Sequence, residues 1–126
     1  MANSFEDLIT WKECRKFRQL ISAVTKKFPV EEKYRLTDQL IRASRSVTAN
    51  IAEGHGRFHF QEYIQFCRQS RGSLSETLDH LICALDEKYI SEEEFNDLKK
   101  QYELCLKLLN GYIAYLQKMK DDSSKK

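Results

Sequence analysis

Three histidines, four cysteines and thirteen arginines and lysines crowded into the first 72 residues are the side chains from which this sequence could build chemistry. Glu76 and His80 stand four apart, a spacing that puts both on one helical face, where they could hold a metal or simply pair in solvent. His55 and His59 repeat the spacing, but Gly54 and Gly56 interrupt any helix between them. A two-metal site inside a helical bundle needs Glu-x-x-His on two helices, and no histidine here follows a glutamate by three. Cys14, Cys67, Cys83 and Cys105 never reach Cys-x-x-Cys spacing, so they read as reduced, partly buried small hydrophobes.

The phosphate-cradling Gly-x-x-x-x-Gly-Lys, the dinucleotide Gly-x-Gly-x-x-Gly and the nucleophile elbow Gly-x-Ser-x-Gly are all missing. Asp86 to Asp97 has the length of a calcium loop. Ser91 stands where that loop demands glycine, however, and Lys88 takes a ligand position. The sequence therefore predicts no enzyme, no metal and no cofactor, which leaves the arginines.

Arg42 and Arg45 share a quadrant of one helical pattern with Arg35, and a turn at Gly54 to Arg57 brings them level with Arg68 and Arg71 on the returning helix. Guanidiniums gathered in this way, with Arg57 reaching from the link, would bind phosphates. The alternative is that they pair with Asp38, Glu53 and Glu62 as ordinary surface salt bridges. Net charge is +2, but residues 1–72 carry thirteen basic against eight acidic side chains and residues 73–120 six against nine, so one surface can be basic.

The elements that must position these groups are helices. One proline and four glycines in 126 residues, with 41% hydrophobic and 32% charged content, leave long segments with little punctuation. Trp11, Cys14, Phe17, Ile21, Val24 and Phe28 trace one helical face over about residues 8–28, which Ser4 or Asp7 could cap and Pro29 ends. Leu36, Leu40, Ser44, Val47 and Ile51 trace a second over 31–53, with Gly54 suited to a left-handed terminus. Tyr63, Cys67, Leu74, Leu78, Leu81 and Leu85 trace a third over 59–86. Ser91-Glu-Glu-Glu94 is a capping box, and beyond it Phe95, Leu98, Tyr102, Cys105, Leu109, Tyr112, Leu116 and Met119 alternate three and four apart.

Short links make successive helices antiparallel, so the expected fold is all-α: an up-down-up-down four-helix bundle over residues 1–120, with a disordered tail over 121–126. The fourth helix carries more apolar residues than one seam buries. Leu104, Leu108, Ile113 and Tyr115 fall outside it and mark a surface for self-association. No apolar run approaches the ~20 residues of a membrane span, and no secretory signal opens the chain, so a cytoplasmic location is the default.

Phe5-Glu-Asp-Leu8 with Trp11, Asn50-Ile-Ala-Glu-Gly-His-Gly-Arg57 and Arg71-Gly-Ser-Leu-Ser-Glu76 together resemble a known family. It comprises the bacterial four-helix bundle proteins first described from open reading frames in intervening sequences of large-subunit ribosomal RNA genes, related to the accessory variability proteins of diversity-generating retroelements. The resemblance implies a homopentameric ring and, in the retroelement relatives, binding to RNA and to a reverse transcriptase. Its signature positions fall on Asn50, Glu53, Gly54, Gly56, Arg57, Arg71 and Glu76. Structural roles suit most of them: Asn50 and Glu53 satisfying backbone groups, the glycines making the turn, Arg71 bridging to Glu53. The family often has Leu-Gly-Tyr-Ile in the third link, where this chain has Glu87-Lys-Tyr-Ile90. The function expected is a non-enzymatic homo-oligomeric adaptor associated with RNA, which the resemblance extends to an accessory of a reverse transcriptase; the alternative is a structural assembly protein that binds another protein without nucleic acid.

Overall fold

The computed structural model describes residues 4–124 and contains four α-helices: α1 Ile9–Thr25, α2 Leu36–His55, α3 Phe60–Asp86 and α4 Glu92–Ser124. Each packs on its neighbours in sequence, α1 and α4 close the ring, and the diagonal pairs stay further apart across the shared core. Cross-helix bonds fix the directions. Val47 and Ser46 of α2 meet Ser70 and Ser73 of α3, Thr10 of α1 bonds the Leu108 carbonyl while Lys27 reaches Glu94, and Arg71 meets Asn110 while Lys120 meets Gln61. In each pair one number rises as the other falls, so the bundle is antiparallel up-down-up-down.

The predicted apolar stripes supply the core. Phe17 and Ile21, Leu40, Val47 and Ile51, Ile64, Leu74 and Leu81, and Leu109 and Leu116 are fully buried, one set per helix. Each such side chain contributes about 1.5–3 kcal/mol on leaving water. Between α2 and α3 the contact is made by small residues: Ser70 Oγ donates to Val47 O at 2.7 Å and Ser73 Oγ to Ser46 Oγ at 2.9 Å. Gly54 continues this strip, and a Cβ there would lie 2.8 Å from Tyr63 Cδ1 and 2.9 Å from Phe66 Cβ.

Element boundaries differ from the sequence pattern in four places, each for a local reason. Ser4 caps a short 3-10 turn at Phe5–Asp7, not α1 itself. The second helix begins at Leu36: after Pro29 the chain makes a 3-10 turn at Val30–Glu32, and the polar run before Leu36 has nothing to bury. The Glu32 carboxylate then accepts the Leu36 N–H at 3.4 Å. Gly54 does not end α2, which runs on to His55, and no described glycine has positive φ. Close packing against α3 is what that position requires. Finally, α4 extends through Asp121–Ser124, where the sequence placed a frayed tail; Gln117 Nε2 donates to Asp121 and Ser124 Oγ back-bonds to Asp121 O. Residues 125–126 of that tail lie outside the described residues.

The capping box at Ser91 forms as expected: Ser91 N–H donates to Glu94 Oε1 at 2.9 Å, and Glu94 N–H to Ser91 Oγ at 3.1 Å. Just before it the α3–α4 link turns through Lys88 at φ 63°, with Tyr89 N–H donating to Ala84 O. This is the left-handed position that glycine occupies at low cost.

Two stability changes of opposite sign follow. Lys88→Gly relieves a left-handed conformation that costs a side-chain residue roughly 1–2 kcal/mol, and raises stability by about 1 kcal/mol. Gly54→Ala lowers it by about 1–3 kcal/mol through overpacking against Tyr63 and Phe66, despite the better helix propensity of alanine. Urea midpoints at constant m-value measure both; a neutral Gly54→Ala would mean that α2 can slide away from α3 freely.

Candidate nucleic-acid interface

The chain leaves α2 through the Asn50–Arg57 motif, and most of that motif is occupied with holding the turn. Gly56 N–H donates to the Ala52 and Glu53 carbonyls. Arg57 Nη2 donates to Glu53 Oε1 at 2.9 Å, its Nη1 lies 4.0 Å from Glu62, and its guanidinium carbon sits 5.1 Å above the Phe66 ring. Asn50 Nδ2 donates to the carbonyl and hydroxyl of Ser46, one turn back in α2, and not to groups at the turn. Glu53 is therefore bridged by Arg57. Arg71, expected in that role, points to α4 and donates to Asn110 Oδ1 at 2.9 Å. Glu76 accepts from His80 at 3.3 Å.

The arginines expected to form one patch do not come together. Ser46 meets Ser73, so Arg45 lies level with about Gly72 to Leu74 and Arg42 about one turn beyond, past Arg68 and Arg71. Arg42 is held by Asp38 at 3.0 Å and Arg57 by its two carboxylates, while Arg68 is exposed and Arg71 turns toward α4. The cause is rotational: α3 presents its serines to α2, which directs Arg71 to the other side of the helix.

A different basic face is assembled between α1 and α2. Arg18 Nη1 donates to Thr48 Oγ1 at 2.8 Å, and that hydroxyl in turn donates to the Arg45 carbonyl at 3.1 Å, so the Arg18 head group sits within a turn of Arg45. Arg15, one turn back along the same side of α1, stacks 5.8 Å from the centre of the Trp11 ring, against which Phe5 packs edge-on at 5.1 Å. Among the described residues none of Arg15, Arg18 and Arg45 pairs with a carboxylate. Their charge is uncompensated. The signal was present in the spacing of Trp11, Arg15 and Arg18, which recur four and three apart beside the buried stripe; reading α2 and α3 alone missed it.

The surplus apolar residues of α4 separate into two groups. Ile113 is 8% exposed and belongs to the core, one turn from Leu109 and Leu116, so it is not a surface residue of this subunit. Leu104 and Tyr115 are about two-fifths exposed at 39% and 42%, and Leu108 is half-buried on the same side. Ile9 and Leu20 of α1, both exposed, share the face on which Glu13 accepts from Gln101 of α4. Leu20, Ala23, Val24 and Leu98 line a shallow groove of about 350 Å³ between the two helices.

The buried thiols are not activated as nucleophiles. Burial pushes the Cys67 thiol up to about 12, and Cys14 is raised by its hydrogen bond to Cys105 and then by burial, so both stay neutral and non-nucleophilic. Among the described residues no three histidine, cysteine or carboxylate side chains gather as metal ligands, and no helix is long and apolar enough to cross a membrane.

A family described as 23S rRNA-intervening sequence protein matches residues 6–111 of the chain. No curated protein matches it. Among solved structures, a protein of unknown function from the S23 ribosomal protein family of Bacteroides thetaiotaomicron is similar, with a TM-score of 0.76 and 21% identity over 83% of this chain and 98% of that one. That likeness supports the bundle fold.

Proposed function

The chain belongs to the 23S rRNA-intervening sequence protein family, and on that premise we propose that it is a non-enzymatic, homo-oligomeric adaptor that grips RNA with the α1–α2 face of each subunit. One observation carries the reading: Arg15, Arg18 and Arg45 lie on the α1–α2 side with no carboxylate partner among the described residues, Arg18 being held by the neutral Thr48 hydroxyl. A guanidinium oriented by a neutral acceptor keeps its full charge and several donors for a phosphate, whereas one paired with a carboxylate, as Arg42 is with Asp38, has part of its charge offset. Trp11, stacked under Arg15, adds a flat apolar surface beside the cations.

The same reading assigns the exposed side chains of Ile9, Leu20, Leu104 and Tyr115, with half-buried Leu108, to contact between copies. Repetition around an oligomer multiplies a three-arginine face, so that a subunit of charge +2 engages several phosphates by avidity. Five copies, and a reverse transcriptase as protein partner, are what the resemblance to the retroelement accessory proteins implies. A second reading, favoured by the apolar α1–α4 face, is an assembly protein that binds another protein and no nucleic acid.

Two measurements test this. RNA binding by filter retention should weaken about seven- to twentyfold between 50 and 200 mM salt, the fall expected for two or three single-strand phosphate contacts. Replacing Arg15 and Arg45 together by Glu should abolish it with helicity intact, while Arg42→Glu changes little; equal binding by the double variant, or none by wild type at low salt, hands the function to the protein-assembly reading. Light scattering should give an oligomer, five subunits by the resemblance, and Leu104→Glu with Tyr115→Lys should dissociate it without loss of helix. A wild-type monomer at micromolar concentration would sink self-association.

A further inference from the structure

At the end of the bundle where α2 turns into α3, a pocket of about 240 Å³ opens beside the last turns of α4. That is the share of liquid volume of about eight waters, enough for a heterocyclic ring system and too little for a folded peptide segment. Its walls are His55, Phe58, Phe60, Tyr63, Tyr112 and Leu116, with Arg57 at the rim. Phe58 is the odd member: it is 100% exposed, with no contact that a structural role would supply. A lone exposed aromatic is ordinary on a surface, but this one borders a pocket most of whose other walls are rings.

The polar groups of the pocket are arranged for an incoming ligand. Tyr63 Oη donates to Tyr112 Oη at 3.0 Å, which uses the Tyr112 oxygen as acceptor and leaves its own hydroxyl hydrogen with no protein acceptor among the described residues. Burial raises both phenols, so that hydrogen stays in place at any physiological pH. The His55 ring is held edge-on to Tyr63 at 5.8 Å, and Arg57 is fixed in place by Glu53 and the Phe66 ring. Flat aromatic walls, an O–H donor without a protein acceptor and the His55 imidazole together match an unstacked base. A prolyl or aliphatic side chain would not use the donor.

We infer that this pocket seats one unpaired nucleobase of single-stranded RNA, stacked on Phe58 and reached by the Tyr112 hydroxyl. The inference rests on the RNA-binding reading and adds what kind of RNA is preferred. Duplex RNA keeps its bases stacked and can contact only the arginines, so the protein should favour single strands or loops.

The test uses the whole chain, isotope-labelled for NMR, with adenosine 5′-monophosphate and a single-stranded oligoribonucleotide as probes. The nucleotide should shift the amides of residues 54–63, and Phe58→Ala should remove those shifts; because Phe58 is fully exposed, the variant should keep its fold. The same change should weaken single-strand binding about tenfold or more, as aromatic-to-alanine changes do at such sites, and leave duplex binding unaltered. Nucleotide shifts that survive Arg15→Glu with Arg45→Glu support the pocket even if that variant no longer binds RNA. RNA binding that leaves residues 54–63 unmoved overturns the pocket while sparing the arginine face. Single-strand binding by Phe58→Ala as tight as wild type, or saturation of the pocket by a proline-rich peptide with no response to the nucleotide, also overturns it.

Discussion

The approach of α2 to α3 through small side chains is the constraint on which the rest of this molecule depends. Gly54, with no room for a methyl between it and Tyr63 and Phe66, together with the Ser46–Ser73 and Val47–Ser70 bonds, sets both the distance and the register of the two helices. With α2 this close, Tyr63 is buried at the seam and its hydroxyl is directed across to Tyr112 of α4. The connection from α2 to α3 is then so short that Phe58 has nothing to fold against. Arg57, by contrast, is drawn back onto Glu53 and Phe66, which anchors the turn. One backbone contact thus decides which groups of the motif are structural and which face outward.

Partner choice decides what the arginines can do. On α2 and the turn, Arg42 and Arg57 each find a carboxylate four residues earlier, Asp38 and Glu53, and such exposed pairs contribute little to stability while largely cancelling charge toward a phosphate. On the side of α1 that faces α2 there is no acidic residue to play this part: Glu13, the only carboxylate within α1, sits on the opposite side and accepts from Gln101 of α4. Arg18 therefore bonds a hydroxyl. A basic content of +5 over residues 1–72 matters less than this segregation, which puts the acidic and basic side chains of one helix against different neighbours.

Periodicity made the bundle legible, because burial of an apolar stripe is a property of each helix separately. The seams of all four helices, the stop at Pro29 and the capping box at Ser91 could be read from spacing alone. What failed were features that depend on how helices rotate against one another. Arg71 and Ser70 are adjacent in sequence, yet once Ser70 faces Val47 of α2, Arg71 must face Asn110 of α4. The four-arginine patch assumed a register one turn off, and a turn is enough to separate it. Ile113 failed in the related way: its position beside the strict seam is close enough to Leu109 and Leu116 to be buried in the same core. The pocket was invisible for another reason, since Phe58, Tyr63 and Tyr112 meet only when three helices share one end.

The placement of the two exposed faces on α1 has a geometric consequence for how a strand could lie. Helix α1 presents Ile9 and Leu20 toward α4 and Arg15 and Arg18 toward α2, so contact between copies through the apolar side leaves the arginine side open. The Arg18–Thr48 bond fixes the register of α1 on α2, and by that register Trp11 lies level with His55, about two turns, or roughly 11 Å, further toward the turn. The Arg45 to Trp11 stripe therefore runs toward the end of the bundle where the Tyr63–Tyr112 pocket opens. A single strand whose phosphates follow Arg45, Arg18 and Arg15 arrives near that end with its next base free to leave the stack, whereas a duplex following the same cations could not turn a base inward without first opening a pair.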